Sequence, residues 1–328
     1  MDDVAVPLQQ EGSCRMSVAV SGADGFVGQA LCEYLEARGV DVVRLVRKSE
    51  GCGTTRRVTG DLATSSNLED HLRGVDVVVH LASRAHILRD DHPQPDVAFE
   101  QTNVVGTIRL ARAAQAVGVR RFVFVSSIGV NGERTNDHAF TELDPPRPAE
   151  PYARSKLKAE EQLKTLAAGT SLELVIVRPP LVYGPRAPGN FQRLLRLASS
   201  GVPLPLGGVR NKRSIIGLEN LCSVLATCMV HPAAAGETFL VADPSPYSTP
   251  QLLTLLSAAM GARARLFVVP LSLLSAASSL IGKRREFEKL CGSLEVCAAK
   301  AERLLDWRPN ANFQEEIART VAALPRES

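Results

Sequence analysis

The stretch Gly22-Ala23-Asp24-Gly25-Phe26-Val27-Gly28 constrains the fold of this chain more than any other. It comes after a short apolar run at 17–20 that reads as a buried strand, and it precedes a helical pattern over 29–38. Strand, glycine turn and helix in that order form the context in which a dinucleotide is held. The first glycine permits a tight turn, and the second lets backbone approach a pyrophosphate at the helix N-terminus. The third lets the helix pack close to the strand. The spacing is G-x-x-G-x-x-G rather than G-x-G-x-x-G. A glycine turn alone can exist without a ligand, so the rest of the chain has to decide.

Strands and helices alternate as far as about residue 178, which demands a parallel sheet with right-handed crossovers. Strands are expected at 17–21, 40–46, 75–82, 121–126 and 172–178. A helix over 98–117 carries Phe99, Val104, Val105, Ile108, Leu110 and Ala111 at helical spacing, and another covers 152–168. Beyond residue 185 the pattern is less regular, with a strand near 238–241 and helices near 250–260 and 313–323. The fold class is therefore α/β: a Rossmann-type doubly wound parallel sheet with a smaller C-terminal α/β substrate domain. Residues 1–15 read as a disordered extension and 16–178 as the NAD(P)-binding domain, with later strands returning from the C-terminal half. Residues 179–328 form mainly the substrate domain. A chain of 328 residues with 45% hydrophobic content suits a globular protein of that size.

Three further elements carry chemistry. The second strand ends in Val46-Arg47-Lys48, where NAD enzymes place an acid against the ribose hydroxyls. A guanidinium and an ammonium suit a 2′-phosphate instead, so NADPH is favoured, with NAD left open. The strand at 121–125 ends in Ser126-Ser127. A hydroxyl there faces the crevice and can polarise a substrate carbonyl, although serines often serve only as caps. Tyr152 and Lys156 lie on one face of a helix at i,i+4 spacing. An ammonium beside the phenol is expected to lower its pKa from about 10.

These pieces together resemble the extended short-chain dehydrogenase/reductases of the nucleotide-sugar epimerase/dehydratase superfamily. The matches also include Gly60-Asp61-Leu62, His80-Leu81-Ala82, Asn103 within TNVVGT, Arg178-Pro179, Tyr183-Gly184-Pro185 and the C-terminal LLDWRP. The resemblance implies that Asp61 binds adenine, that Leu81 and Ala82 line the cofactor groove, and that Lys156 holds the nicotinamide ribose. It likewise implies Gly22, Gly25, Phe26, Val27, Gly28, Leu62, Ser83, Asn103 and Pro179 as cofactor contacts. Ser127 and Tyr152 would contact the reacting oxygen of a sugar. Asn190 and Arg213 would fall where the superfamily binds a nucleoside diphosphate, and a homodimer through the helices at 98–117 and 152–168 is expected; apart from the resemblance, Arg84 and His86 on the loop 83–95 are candidate substrate contacts, a solvated loop histidine being the other reading of His86. Departures narrow the choice: Asn131 stands where V-Y-G has tyrosine, and Ile128-Gly129 replace the Asp-Glu pair of dehydratases. The closer resemblance is to bacterial 4-reductases of UDP-4-keto-6-deoxy-N-acetylhexosamines, which serve lipopolysaccharide O-antigen synthesis. SSIGVNGE, RPPLVYGP and PLPLG carry it. A UDP-hexose 4-epimerase with bound NAD and a non-catalytic NADP-sensing regulator remain the alternatives.

Net charge is only +3 and no basic run interleaved with aromatics occurs, which argues against nucleic acid. The seven cysteines form no C-x-x-C or Cys/His cluster, so free thiols, a cytoplasmic setting and no metal site are expected. The apolar segment 271–281 (LSLLSAASSLI), followed by Gly282-Lys283-Arg284-Arg285, is about half the length of a membrane span. It is expected to be a core helix of the smaller domain rather than an integral membrane segment; the basic end leaves contact with a membrane surface as the other reading.

Overall fold

The computed structural model describes residues 15–48, 55–85 and 94–324. Its strands are β1 (Ser17–Ser21), β2 (Asp41–Val46), β3 (Arg56–Val58), β4 (Val77–His80), β5 (Arg121–Val125), β6 (Glu173–Arg178), β7 (Leu181–Tyr183), β8 (Ile215–Gly217) and β9 (Thr238–Leu240). In its first half the helices are α1 (Phe26–Glu36), α2 (Leu68–Leu72), α3 (Pro95–Glu100), α4 (Gly106–Ala116) and α5 (Pro151–Ala167). The second half adds α6 (Gly189–Ser199), α7 (Leu218–Val230), α8 (Thr249–Ala259), α9 (Leu271–Leu280), α10 (Arg284–Cys291), α11 (Ala299–Leu305) and α12 (Phe313–Ala322).

The described residues form a seven-stranded sheet in the order β3-β2-β1-β4-β5-β6-β9, parallel throughout. Strands such as β4 (Val77-Val78-Val79-His80) are buried along their whole length, as a parallel sheet covered on both faces requires. Alternate side chains of one strand enter opposite cores. Val18 and Val20 pack under α1, α7 and α11, while Ala19 faces the layer of α2, α4 and α5. Strand order reverses at β1, which has β2 on one side and β4 on the other. A crevice opens at the C-terminal ends there. A second core gathers around the two-stranded β7–β8 sheet, with α6, α8 and α12.

Two expectations are corrected. The helix over 98–117 is not continuous: α3 and α4 are joined by a π-helical turn, Gln101–Val105. The wider turn changes the direction of the side chains within it and beyond it, and Asn103 inside the turn and Thr107 just past it make the contacts described below. The segment 271–281 does not enter the core. In α9 only Ser278 is buried, while Leu273 is 62% and Leu280 89% exposed. The two faces of the large sheet and the small core are covered by other helices, and α9 packs mainly against α10.

Candidate functional site

The glycine turn is sterically obligatory. Gly22 has φ +71°, and a Cβ there would lie 2.7 Å from the Ala82 nitrogen, so the backbone just past β4 runs against the turn with no room for a side chain. A Cβ on Gly28 would lie 2.1 Å from the Gly22 carbonyl oxygen. That is the close packing of helix on strand that the third glycine permits. Gly25 enters α1 in an extended conformation, and no side chain caps the helix. No acid occupies its first turn. A helix start with open amides and no competing carboxylate fits a pyrophosphate. Phe26 and Val27 are half-buried in that first turn.

Around this turn, Arg47 and Lys48 are both exposed just past β2. β1 and β2 run in register from Ser17↔Asp41 to Ser21↔Leu45, so these cations leave β2 at the same edge of the sheet at which the glycine turn leaves β1. Asp61 is exposed after a left-handed Gly60, its carboxylate accepting the Ala63 N–H at 2.9 Å. Leu62 packs against Gly106 at the start of α4. Sequence reading missed one contact: Asp24, inside the glycine turn, pairs with Arg56 at 2.6 Å.

From β1 a buried chain of hydrogen bonds runs to the first turn of α5, which bears Tyr152. Ser21 Oγ meets His80 Nδ1 at 2.5 Å, and His80 Nε2 meets Thr107 Oγ1 at 2.8 Å. The Thr107 hydroxyl donates to the Asn103 carbonyl, so it must accept from His80, which fixes the imidazole proton on Nε2. Burial holds His80 down at about 3, with the Lys156 charge adding to the shift, so the ring is neutral. Asn103 Nδ2 then donates to Ser155 Oγ at 2.9 Å, and Ser155 Oγ donates to the Tyr152 carbonyl at 2.7 Å. Asn103 also accepts the Arg84 N–H at 2.7 Å. The Asn103 side chain therefore ties the segment after β4, with Leu81, Ala82 and Ser83 half-buried along it, to the helix bearing Tyr152.

Tyr152 is half-buried, with its ring edge-on to Phe99 at 6.4 Å between centroids. Burial pushes its phenol up to about 12, opposed by a hydrogen bond with Ser83. The expected lowering by Lys156 is thus corrected. The ammonium donates to the Val125 carbonyl at 2.9 Å and stands 5.9 Å from the phenol ring centroid. Burial in turn pulls Lys156 down to about 7, with Glu160 opposing. The phenol is consequently in its protonated form at neutral pH, the form that donates a proton. Ser127 comes after β5 in extended conformation, and its Oγ accepts the Gly129 N–H at 3.1 Å, which leaves its own hydrogen available. A Cβ on Gly129 would lie 3.3 Å from the Ala153 Cβ and 3.4 Å from Ser127 Oγ, so the absence of a side chain there lets the serine turn sit against the first turn of α5.

Behind this face lies a charged cluster that the sequence reading did not single out. Glu160, one turn past Lys156, takes a bidentate pair from Arg178 Nε and Nη2, with Nε at 2.9 Å. It also accepts Ser126 Oγ–H at 2.5 Å. Arg178 Nη1 donates to Asn131 Oδ1 at 2.9 Å, and Asn131 Nδ2 to the Thr141 carbonyl at 3.0 Å. The asparagine that replaces the usual tyrosine is thus a buried bridge. The i,i+4 relation of Lys156 and Glu160 was the available signal. Buried Pro179, next to Arg178, accepts the Ile128 N–H at 3.0 Å.

The candidate substrate residues are more scattered. Arg84 lies over the Phe99 ring at 5.7 Å, on the Tyr152 side. His86 lies outside the described residues. Asn190 is exposed in the first turn of α6. Arg213 donates to the Lys289 and Gly292 carbonyls at 2.7 and 3.0 Å, holding the end of α10. Lys289 pairs with Glu150, the residue before Pro151-Tyr152, and Arg285 pairs with Glu133 and Glu150 at 3.2 and 3.4 Å. The loop 131–150 is pinned as well: Phe140 exchanges backbone bonds with Glu295 and Cys297, and Glu142 accepts the Leu240 N–H.

Comparison with known proteins finds a matching family. The profile of the NAD dependent epimerase/dehydratase family matches residues 18–242. A UDP-glucose 4-epimerase of Vibrio cholerae is 37% identical over 314 residues, covering 94% of this chain and 95% of that protein. An N-acetyl-α-D-glucosaminyl-diphospho-ditrans,octacis-undecaprenol 4-epimerase of Escherichia coli O157:H7 is 30% identical over 239 residues, 72% of this chain and 70% of its own. The crystal structure of a Thermus thermophilus UDP-glucose 4-epimerase with NAD superposes with a TM-score of 0.75 at 25% identity, covering 94% and 98% of the two chains. The chain belongs to the NAD-dependent epimerase/dehydratase family.

Proposed function

We propose that this family member is an NADPH-dependent reductase of the C4 ketone of a UDP-4-keto-6-deoxy-N-acetylhexosamine, serving lipopolysaccharide O-antigen synthesis in the cytoplasm. The observation that carries this reading is the end of β2, where exposed Arg47 and Lys48 stand in place of a ribose-binding acid. Two cations beside the glycine turn favour the 2′-phosphate of NADPH. A cofactor used and released in each turnover suits net reduction better than one held tightly through an epimerase cycle. Gly22, Gly25, Phe26, Val27 and Gly28 would hold the pyrophosphate, Asp61 and Leu62 the adenine end, and Leu81, Ala82, Ser83, Asn103, Lys156 and Pro179 the remainder. NADPH bound there would supply the hydride.

The chain's own residues manage the oxygen. The Ser127 hydroxyl donates to the ketone oxygen and polarises it. Tyr152, protonated at neutral pH, hands its proton to that oxygen as negative charge develops. The charge of Lys156 favours both, and Glu160 helps to keep that charge. Arg84, His86, Asn190 and Arg213 are assigned to the UDP-sugar, and a homodimer through α4 and α5 is part of the proposal.

The test is stoichiometric loss of NADPH absorbance with UDP-4-keto-6-deoxy-GlcNAc. Tyr152→Phe should lower turnover by about a hundredfold or more while NADPH binding persists; turnover like that of the wild type would remove Tyr152 from the mechanism. The Vibrio cholerae relative favours a second reading, a UDP-hexose 4-epimerase. Interconversion of UDP-GlcNAc and UDP-GalNAc without added cofactor, with no NADPH oxidation, would establish that reading instead.

A further inference from the structure

The apolar surface left uncovered by the fold is concentrated in one place. Phe267, Val268, Leu271, Leu273, Leu280 and Ile281 are all large, apolar and exposed, at 42 to 89% of their full accessibility. They belong to α9 and the extended segment leading into it. That segment is anchored: Phe267 exchanges backbone hydrogen bonds with Leu204 and Gly207. The helix itself is apolar along most of its length and is covered on little of it, since α10 is the element packed against it.

The charge of the same stretch is one-sided. Residues 261–285 contain Arg263, Arg265, Lys283, Arg284 and Arg285 and no Asp or Glu. The whole chain is only +3, so the rest of it is net acidic. Arg285 is engaged by Glu133 and Glu150, and Arg284 by Glu288. Arg263, Arg265 and Lys283 are exposed, and the ion pairs of this stretch are formed by Arg284 and Arg285 instead. Exposed apolar side chains flanked at both ends by exposed cations form the pattern of a segment that lies in a membrane interface. At roughly 15 Å, α9 is too short to cross a bilayer, and no helix among the described residues is long and apolar enough to do so.

We propose that the face formed by residues 267–281, with Arg263, Arg265 and Lys283 at its rim, docks this enzyme on an anionic phospholipid surface. Leu273, Leu280 and Ile281 enter the headgroup boundary, and the cations meet the lipid phosphates. The docked face stands next to the site, because α10 comes directly after it and its Lys289 and Arg285 pair with Glu150 ahead of the turn that bears Tyr152. The inference does not depend on which sugar is reduced or epimerised.

The test is co-sedimentation of the full-length protein with vesicles of phosphatidylcholine alone and of equal parts phosphatidylcholine and phosphatidylglycerol. Binding is expected to the mixed vesicles only, and to weaken as salt is raised. The double variant Leu280→Glu/Ile281→Glu should bind at least about tenfold more weakly, and Lys283→Gln about fivefold more weakly. Both should keep wild-type thermal unfolding and NADPH binding, because these side chains are exposed. Absence of binding to anionic vesicles, or equal binding by the double variant, would overturn the proposal. Sedimentation velocity covers the remaining occupant: if the wild type leaves vesicles alone and the double variant converts a dimer to a monomer, the face binds a second copy and not a membrane.

Discussion

The strand β4 and the helix α9 both read as apolar in sequence, three valines in one and four leucines among small residues in the other, and they meet opposite fates. Val77, Val78 and Val79 are completely buried between two helical layers, whereas Leu273 and Leu280 face solvent. The difference lies in neighbours. β4 has β1 and β5 hydrogen-bonded on its two sides and a helix layer on each face. α9 packs mainly against α10, while the cores are covered by other helices, α11 and α12 among them. Hydropathy along a chain thus records what a segment would bury, and topology decides whether there is anything to bury it against.

Substitutions test that contrast. The largest effect is expected inside the sheet region at Glu160, whose removal leaves Arg178 as an uncompensated buried charge. Glu160→Ala should lower unfolding free energy by about 3–5 kcal/mol, measured by urea denaturation. Leu110, fully buried in α4, should cost about 2–5 kcal/mol when cut to alanine. A value under about 1 kcal/mol would mean that this layer repacks freely.

An intermediate effect belongs to Glu316 in α12, buried beside Gly184. Burial, with Glu219 adding to the shift, raises its carboxyl from an ordinary 4.5 to about 7. A raised folded value means that its stabilising contribution is full below the unfolded pKa and is lost as pH rises through the folded one. Glu316→Gln should therefore stabilise the protein by about 1–3 kcal/mol near pH 8 and by little near pH 5, read from melting curves at the two pH values. The smallest effect is expected at α9: Leu273→Ala should change stability by no more than about 0.5 kcal/mol. A loss comparable to that of Leu110→Ala would show that α9 is packed after all.

Much of the sheet region was legible because its signals are local. The glycine spacing and the apolar runs each declare themselves within a few residues, and six strands, that near 238–241 included, fell within about two residues of their expected ends. The contacts that escaped depend on partners distant in sequence. Asp24 meets Arg56, Glu160 meets Arg178, and Glu150 meets Lys289, and no periodicity announces such pairs. The Tyr152 phenol was misread for the same reason. Its i,i+4 neighbour was visible, but the burial that dominates its proton affinity comes from the surrounding fold.

The π-helical turn Gln101–Val105 has a consequence of another kind. It is a one-residue insertion in an otherwise ordinary helix, and each residue added to an α-helix rotates the downstream side chains by about 100°. Deleting one residue there would restore regular geometry and at the same time swing Asn103 and Thr107 out of phase, one away from Ser155 or the other away from His80. The local optimum and the functional register are therefore one length polymorphism apart. A library of substitutions alone would never sample that boundary, while a single codon deletion crosses it.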